Sequence, residues 1–301
     1  MVFSETVIAS SSLHCNAVTP NQHNTLSMVA SPLDPKLVAH AEGVEGKLEP
    51  SVLESMYGWD MLKSKGLWTF GSLHTNALID DTLLLPNTPQ YEALNSVRPF
   101  IVQGFDWATR EGPLTHDAMR GVSFSLIGAQ LAEQPFHRGG GQIIPAARRV
   151  MYSSFLTAQP RLMEPVFRVD VQCPTEAVKA IQQVLTRRRG HVLLEAGVPG
   201  TPLVAVLGYV PVIDSFGLET DIRIHTQGMA FCTQIFNHWD LVPGDPLDAS
   251  IVLRPLEPQP VQALAREFMV KTRRRKGLSD DVTLSHYFDA SMLSSMQSMI
   301  Q

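Results

Sequence analysis

The chain has 301 residues, 44% hydrophobic and 18% charged, which is the composition of an ordinary folded protein and argues against disorder. Its net charge is −5, with 24 Lys plus Arg against 29 Asp plus Glu, so only local basic patches remain as candidate RNA contacts. Three widely spaced cysteines (Cys15, Cys173, Cys232) exclude a Cys-x-x-Cys metal site. No secretory signal and no apolar run of about 18 residues is present, so we expect the cytosol or nucleus and no membrane association.

The first third of the chain alternates between strand and helix patterns. Period-two alternation predicts strands at residues 2–7, 12–17 and 24–30, and short apolar runs add strands at 68–70 and 78–85. Helical spacing predicts helices at 36–41, 50–65 and 97–111. This mixture predicts an α/β (α+β) domain.

A glycine-rich segment follows a predicted strand at 122–131 and precedes a helix that we expect to begin at Pro145. Three consecutive glycines can adopt positive φ, and a helix N-terminus behind them favours anions. No Lys-Ser or Lys-Thr pair follows, so the segment is not a nucleotide-binding P-loop. An ordinary glycine turn is one interpretation. The other is a projecting contact tip made of His137, Arg138, Gly139, Gly140, Gly141 and Gln142.

Residues 164–239 have a regular order of elements. Strands are predicted at 166–173, 192–194, 203–212 and 229–236, with helices at 176–189 and 216–225. We expect Gly190 to end the first helix and Ser215 to cap the second. The order β-α-β-β-α-β predicts a split βαβ, ferredoxin-like unit with two helices on one sheet face.

Three basic clusters are candidate RNA or protein contacts. They comprise Arg148 and Arg149; Arg187, Arg188 and Arg189; and Arg273, Arg274, Arg275 and Lys276. The last cluster ends a predicted helix at 261–276 that follows a Pro-rich connector at 254–260. Cations stabilise a helix C-terminus, so this cluster is equally consistent with helix capping and with phosphate binding. The apolar residues of the tail, 280–301, predict that it docks on another surface.

Motifs for catalysis and metal binding are missing from the sequence. It contains no His-Glu-x-x-His, Gly-x-Ser-x-Gly, Rossmann or EF-hand pattern, and its ten histidines are scattered. We therefore expect no catalytic, cofactor-binding or metal-binding residues in this chain. A Ser/His/Asp site assembled from distant positions is the alternative that the sequence leaves open.

Several segments resemble elongation factor 2. SETV at 4–7, YGWD at 57–60, FDWATREG at 105–112 and the segment 137–149 resemble its fourth domain, and RLMEP at 161–165, PGTP at 199–202 and DSFG at 214–217 its fifth. The resemblance implies a domain IV of the ribosomal-protein-S5-domain-2-like fold, formed by residues 1–163 plus 240–301. A ferredoxin-like domain V of the elongation-factor-G C-terminal type, residues 164–239, would be inserted in it.

Two branches of this family compete. The ribosomal translocase carries His-Ala-Asp-Ala-Ile-His into its tip and modifies the last histidine to diphthamide, whereas residues 132–137 here read AEQPFH. ETDIRIHTQG at 219–228, RPLEPQPVQALAR at 254–266 and GLSDDVTLSHYFD at 277–289 are similar to the spliceosomal branch, the GTPases of the U5 small nuclear ribonucleoprotein (snRNP). The translocase and a free-standing RNA-binding protein are the alternatives.

The spliceosomal resemblance implies a function in pre-mRNA splicing. The family places a GTPase domain and two further domains before Ser4, so GTP and magnesium are expected only there. This chain would be a non-catalytic docking and lever module with hinges at residues 162–165 and near His238. Expected partners are the large U5 scaffold protein, U5 snRNA and, indirectly, the unwinding helicase, all in the nucleus.

Overall fold

The computed structural model describes residues 3–43, 50–71, 75–85, 88–254, 257, 259–289 and 292–293. The chain forms two compact units. The inserted unit consists of Met163–Val242 together with Phe3, against the predicted range 164–239. The main unit consists of the described residues of Ser4–Leu162 and those from Pro243 onward.

The main unit is built on a mixed five-stranded sheet. Its elements are β1 (Ser4–Val7), β2 (Cys15–Val18), β3 (Thr25–Pro32), α1 (Pro35–Gly43), α2 (Pro50–Tyr57), α3 (Met61–Lys65), β4 (Leu67–Phe70), β5 (Ala77–Asp80), α4 (Pro89–Arg110), β6 (Val122–Gln130) and α5 (Gly140–Thr157). The strand order is β2-β3-β6-β5-β4, with β5 and β6 parallel and the other pairs antiparallel.

Helices α4 and α5 pack closely beside this sheet. A Cβ atom added to Gly104 of α4 would lie 2.9 Å from the Cβ of Ala147 of α5, so only glycine permits this approach. Phe105 meets Phe124 of β6 edge to face, with ring centroids 6.0 Å apart, and both rings are fully buried. These contacts fix the direction in which α5 leaves the tip segment.

The inserted unit has the predicted ferredoxin-like order. After β7 (Pro160–Pro174) come α6 (Val178–Arg187), β8 (His191–Gly197), β9 (Leu203–Pro211), α7 (Leu218–His225) and β10 (Phe231–Leu241). The antiparallel order is β10-β7-β9-β8, and β1 joins the same five-stranded sheet at β7. A core containing Val171, Ile181, Val206 and Ile222 lies between one sheet face and the two helices. The α/β fold class and the β-α-β-β-α-β prediction are confirmed.

Some predicted element bounds were wrong. The single helix expected at 50–65 is interrupted by Gly58, whose φ of +62° ends α2 before α3 begins. Ser215 does not cap α7, because its hydroxyl donates to the carbonyl of Val212 while Gly217 occupies the N-cap position. The strand predicted from residue 2 lies partly outside the described residues.

The described C-terminal residues return to the main unit. After α8 (Leu264–Arg275), Phe288 and Met292 are buried, and Tyr287 meets Tyr152 of α5 edge to face at 5.3 Å between ring centroids. The predicted docking of the tail is thus confirmed for these residues, while residues 290–291 and 294–301 lie outside the described part. Within the described residues, the helices are too short or too polar to cross a membrane.

Candidate functional site

The predicted contact tip is held by a second loop. We define the tip as residues 135–142, which form a short 3-10 helix, Pro135–Arg138, and the first turn of α5. The loop between β2 and β3 packs on it. Asn21 and Asn24 each donate a side-chain N–H to the carbonyl of His137, at 2.9 Å, and Gln142 accepts from the backbone of Asn21 at 3.0 Å.

Asn24 connects this loop both to the tip and to the residues that precede it. Its side chain is buried, and its Oδ1 accepts the backbone N–H of Ala132 at 2.9 Å while its Nδ2 donates to His137. The backbone of Asn24 is fixed in turn by Thr19, whose hydroxyl accepts from it at 3.1 Å. The tip is therefore a preorganised surface and not a loose glycine loop.

Aromatic rings cover the outer surface of the tip. Phe136 is 88% exposed, and its ring centroid lies 5.3 Å from that of His137. His137 also contacts His23 of the neighbouring loop, with centroids 4.5 Å apart. Sequence analysis missed Phe136 and His23. An aromatic residue within a polar, Pro-containing turn was the available signal for Phe136, whereas only the fold brings His23 close.

The tip glycines do not have the role expected of them. Gly139 is the N-cap of α5 with φ −65°, and Gly140 and Gly141 lie in the first helical turn, so the prediction of positive φ was wrong. The helix also begins before Pro145, which lies inside α5. A Cβ atom on Gly140 would approach the Phe100 ring at 3.0 Å, so this glycine allows α5 to start close against α4.

Arg148 and Arg149 are both paired within the main unit. Arg148 donates to the Tyr152 hydroxyl at 2.8 Å and pairs with Glu111 at 3.2 Å. Arg149 pairs with Asp289 at 2.8 Å. These partners neutralise the charge that a phosphate would otherwise meet.

The cluster at the end of α6 is bound mainly within the inserted unit. Arg189 forms two parallel hydrogen bonds to Glu164, at 2.8 and 2.9 Å, and a third to Asp214 at 2.6 Å. Arg188 donates to Asp221 at 3.0 Å, and this bond lowers the pKa of Asp221. Arg187 is exposed, with a 3.4 Å contact to His225.

The basic run at the end of α8 mostly holds the main unit together. Arg273 is only 5% exposed, donates to the carbonyl of Leu114 at 2.6 Å, and burial lowers its pKa. Lys276 pairs with Asp117 at 2.7 Å, and Arg274 with Asp280 at 2.6 Å. Arg275 is exposed. Gly277, with φ +72°, ends the helix, as the capping interpretation expects.

A buried carboxylate that the sequence analysis did not single out organises the neighbouring loop. Glu5 of β1 is fully buried and accepts the backbone N–H groups of Leu114 and Thr115 at 2.9 and 2.8 Å. Burial raises its pKa to about 7, although these bonds oppose the shift. Within the described residues, no group of three or more His, Cys, Asp or Glu could hold a metal ion.

Comparison with known proteins covers nearly the whole chain. The model for elongation factor G, domain IV, matches residues 38–159, and the model for the elongation factor G C-terminus matches residues 161–250. In Arabidopsis thaliana, the 109 kDa U5 small nuclear ribonucleoprotein component GFL and the 110 kDa component CLO are 50% and 51% identical over 299 residues, 97% of this chain and 30% of each relative. The pre-mRNA-splicing factor cwf10 of Schizosaccharomyces pombe is 48% identical over 303 residues, 98% of this chain and 31% of that protein.

The chain thus spans about a third of the length of these curated relatives. The two matched models adjoin near residue 160, close to where the inserted unit begins. The chain therefore belongs to the elongation factor G family through its domain IV and C-terminal domain, and it is similar to these U5 snRNP components and splicing factor along nearly its whole length.

Proposed function

We propose that this chain acts in pre-mRNA splicing, as a docking and lever module of a U5 snRNP GTPase. The observation that carries the proposal is the 48–51% identity over 97–98% of the chain to proteins named as U5 snRNP components or a splicing factor. The alternative is that the chain forms domains IV and V of a translation elongation factor 2. That alternative would require the tip motif of the ribosomal translocase.

The tip sequence supports the spliceosomal branch. Residues 132–137 lack the first histidine and the aspartate of the translocase motif, and they place an exposed Phe136 beside His137. We propose that this surface, with His137, Arg138 and Gln142, is the contact end of the main unit. Mass spectrometry of the tip peptide, obtained by digestion of the native protein, tests whether the chain belongs to the spliceosomal or the translational branch. An unmodified His137 is expected, and a diphthamide adduct would assign the chain to translation.

The finer proposal is that these residues contribute no catalysis themselves. The two matched models are domain IV and the C-terminal domain, which supports a role in transmitting the nucleotide state and not in hydrolysis. GTP and magnesium would then act elsewhere in the parent protein. The purified chain is expected to show no GTP turnover above buffer, and a measurable rate would overturn this part of the proposal.

The proposed partners are the large U5 scaffold protein and U5 snRNA, with indirect control of the unwinding helicase in the nucleus. The names of the relatives support a spliceosomal setting for these contacts. A docking module without hydrolysis should compete with the endogenous protein. Excess chain is therefore expected to slow splicing in nuclear extract and to leave translation in a cell-free lysate unchanged. Inhibition of translation alone would contradict the proposal.

A further inference from the structure

A cavity of about 280 Å³ lies in the main unit on the side of α5 that faces Trp107 of α4. Residues from three parts of the chain line it, principally Trp107, Ile144, Pro145, Arg148, Tyr152 and Tyr287. The cavity is large enough for one bulky side chain. It does not include the tip, so a binding role for this cavity is independent of the proposed function.

Contacts among the lining side chains hold the walls of this cavity in place without a ligand. Tyr152 accepts a hydrogen bond from Arg148 at 2.8 Å and donates one to the carbonyl of Glu111. The Arg148 guanidinium lies over the Tyr152 ring at 5.2 Å, and Tyr287 closes the far side at 5.3 Å from the same ring. Because these side chains are already ordered, binding would not have to immobilise them.

The composition of the cavity is that of a protein-binding site. Trp, Tyr and Arg are the residue types that most often dominate the energy of protein interfaces. Trp107 is 47% exposed at the mouth of the cavity, and Ile144 contributes apolar surface inside it. A bulky side chain inserted here would be surrounded by three aromatic rings.

The charges at the rim select against a nucleic acid. Arg148 and Arg149 are each paired with a carboxylate, Glu111 at 3.2 Å and Asp289 at 2.8 Å, so these four groups sum to zero charge. A phosphate backbone is bound by Lys and Arg side chains that replace its condensed counterions, and cations already neutralised by carboxylates contribute less to this exchange. A neutral rim around aromatic walls matches an uncharged segment instead.

We propose that this cavity is a docking site for a partner protein, which inserts a bulky apolar side chain, aromatic or leucine, from an uncharged segment. The guanidinium N–H groups at the rim would donate to main-chain carbonyls of that segment. Trp107 and Ile144 would provide most of the contact surface. None of the lining residues belongs to the tip, so the cavity would give the main unit a second point of attachment.

Fluorine NMR of the full chain labelled with 5-fluorotryptophan tests this directly, because the four tryptophans give four reporters. N-acetyl-L-tryptophanamide is expected to shift the Trp107 resonance saturably in the millimolar range and to leave Trp59 and Trp239 unshifted. N-acetylglycinamide, which offers only backbone groups, should not shift it. Absence of a saturable Trp107 shift, or binding of hexauridylate in preference to the tryptophan derivative, would overturn the proposal.

Matched variants place the binding in the cavity. Ile144→Asn should weaken the interaction on the order of tenfold, whereas Ile8→Asn, a similar change at a partly exposed isoleucine elsewhere in the main unit, should not. The unshifted tryptophan resonances report whether each variant folds. If Ile144→Asn does not fold, Pro145→Gln at the exposed rim serves in its place. Equal affinities for all variants would contradict the assignment, as would concentration-dependent dimerisation that Ile144→Asn abolishes.

Discussion

Arg189 occupies a backbone position that usually belongs to glycine. It follows the last turn of α6 with φ +54°, and the N–H of Gly190 closes the helix by donating to Leu185 at 2.8 Å. The sequence predicts that Gly190 ends this helix. Gly190 is needed for a different reason, because a Cβ there would lie 2.6 Å from the Val210 side chain. The three hydrogen bonds of the Arg189 guanidinium to Glu164 and Asp214 hold the strained residue in place.

Removing this arginine should destabilise the inserted unit. Glu164 is 2% exposed, so Arg189→Ala leaves a buried carboxylate without its cation and is expected to cost about 3 kcal/mol or more. Arg187→Ala, at an exposed position of the same helix end, should change stability by less than about 0.5 kcal/mol. Urea unfolding measures both. If both variants lost a similar free energy of unfolding, the ion pair between Arg189 and Glu164 would not be a major source of stability.

Glu5 makes the stability of the main unit depend on pH. Burial raises its pKa from 4.5 to about 7, so the folded state binds this proton more tightly than the unfolded state. The contribution is fully present below pH 4.5 and is lost as the pH rises through about 7, by roughly 3 kcal/mol. Glu5→Gln should flatten this decline. Denaturant unfolding between pH 4.5 and 7.5 measures it, and equal slopes for both proteins would contradict the assignment.

At the scale of elements, the tip shows what periodicity can and cannot predict. The alternation that predicted a strand at 122–131 corresponds to β6, Val122–Gln130, because one face of that strand is buried. The backbone conformation of the three tip glycines could not be predicted from the sequence, since glycine permits both a positive φ and a tightly packed helix start. The Phe100 ring, which decides between these for Gly140, comes from a different helix. The two hydrogen bonds of the Asn24 side chain to His137 and Ala132, which we call the Asn24 clamp, are likewise long-range contacts.

Loss of the Asn24 clamp should loosen the tip without unfolding the main unit. Asn24→Ala leaves the carbonyl of His137 with one donor fewer and the N–H of Ala132 without its acceptor, for a local cost of about 1–3 kcal/mol. Hydrogen exchange of residues 131–142 should speed up accordingly. Asn16→Ala, an exposed asparagine on β2, is the matched control. Unchanged exchange in the Asn24 variant would rule out the clamp.

A substitution of Phe136 can test the role of the tip in binding without changing the stability of the fold. Its ring is 88% exposed, so Phe136→Ala should change the free energy of unfolding by less than about 0.5 kcal/mol. If the tip is the contact end, the same change should reduce the inhibition of splicing by excess chain. A variant that is fully stable and still inhibits as strongly as the parent would exclude Phe136 from the contact.

At the scale of the whole molecule, the ferredoxin-like unit was the most predictable part of the fold. Its strands and helices each carry a local pattern, and the order of elements alone indicates the sheet. The basic clusters were not predictable in the same way. The acidic residues and carbonyls that bind them, such as Glu164 for Arg189 and Leu114 for Arg273, lie far away in sequence. The proposed function rests on family resemblance, since composition and motifs alone indicated only a folded protein without a recognised catalytic motif.

The central claim is that this chain belongs to a splicing particle and not to the ribosome. It is tested most directly by tagging the protein in cells, purifying it at moderate salt and quantifying U5 snRNA and ribosomal RNA relative to input. Our account predicts enrichment of U5 snRNA, with ribosomal RNA at background. Enrichment of ribosomal RNA without U5 snRNA would contradict it.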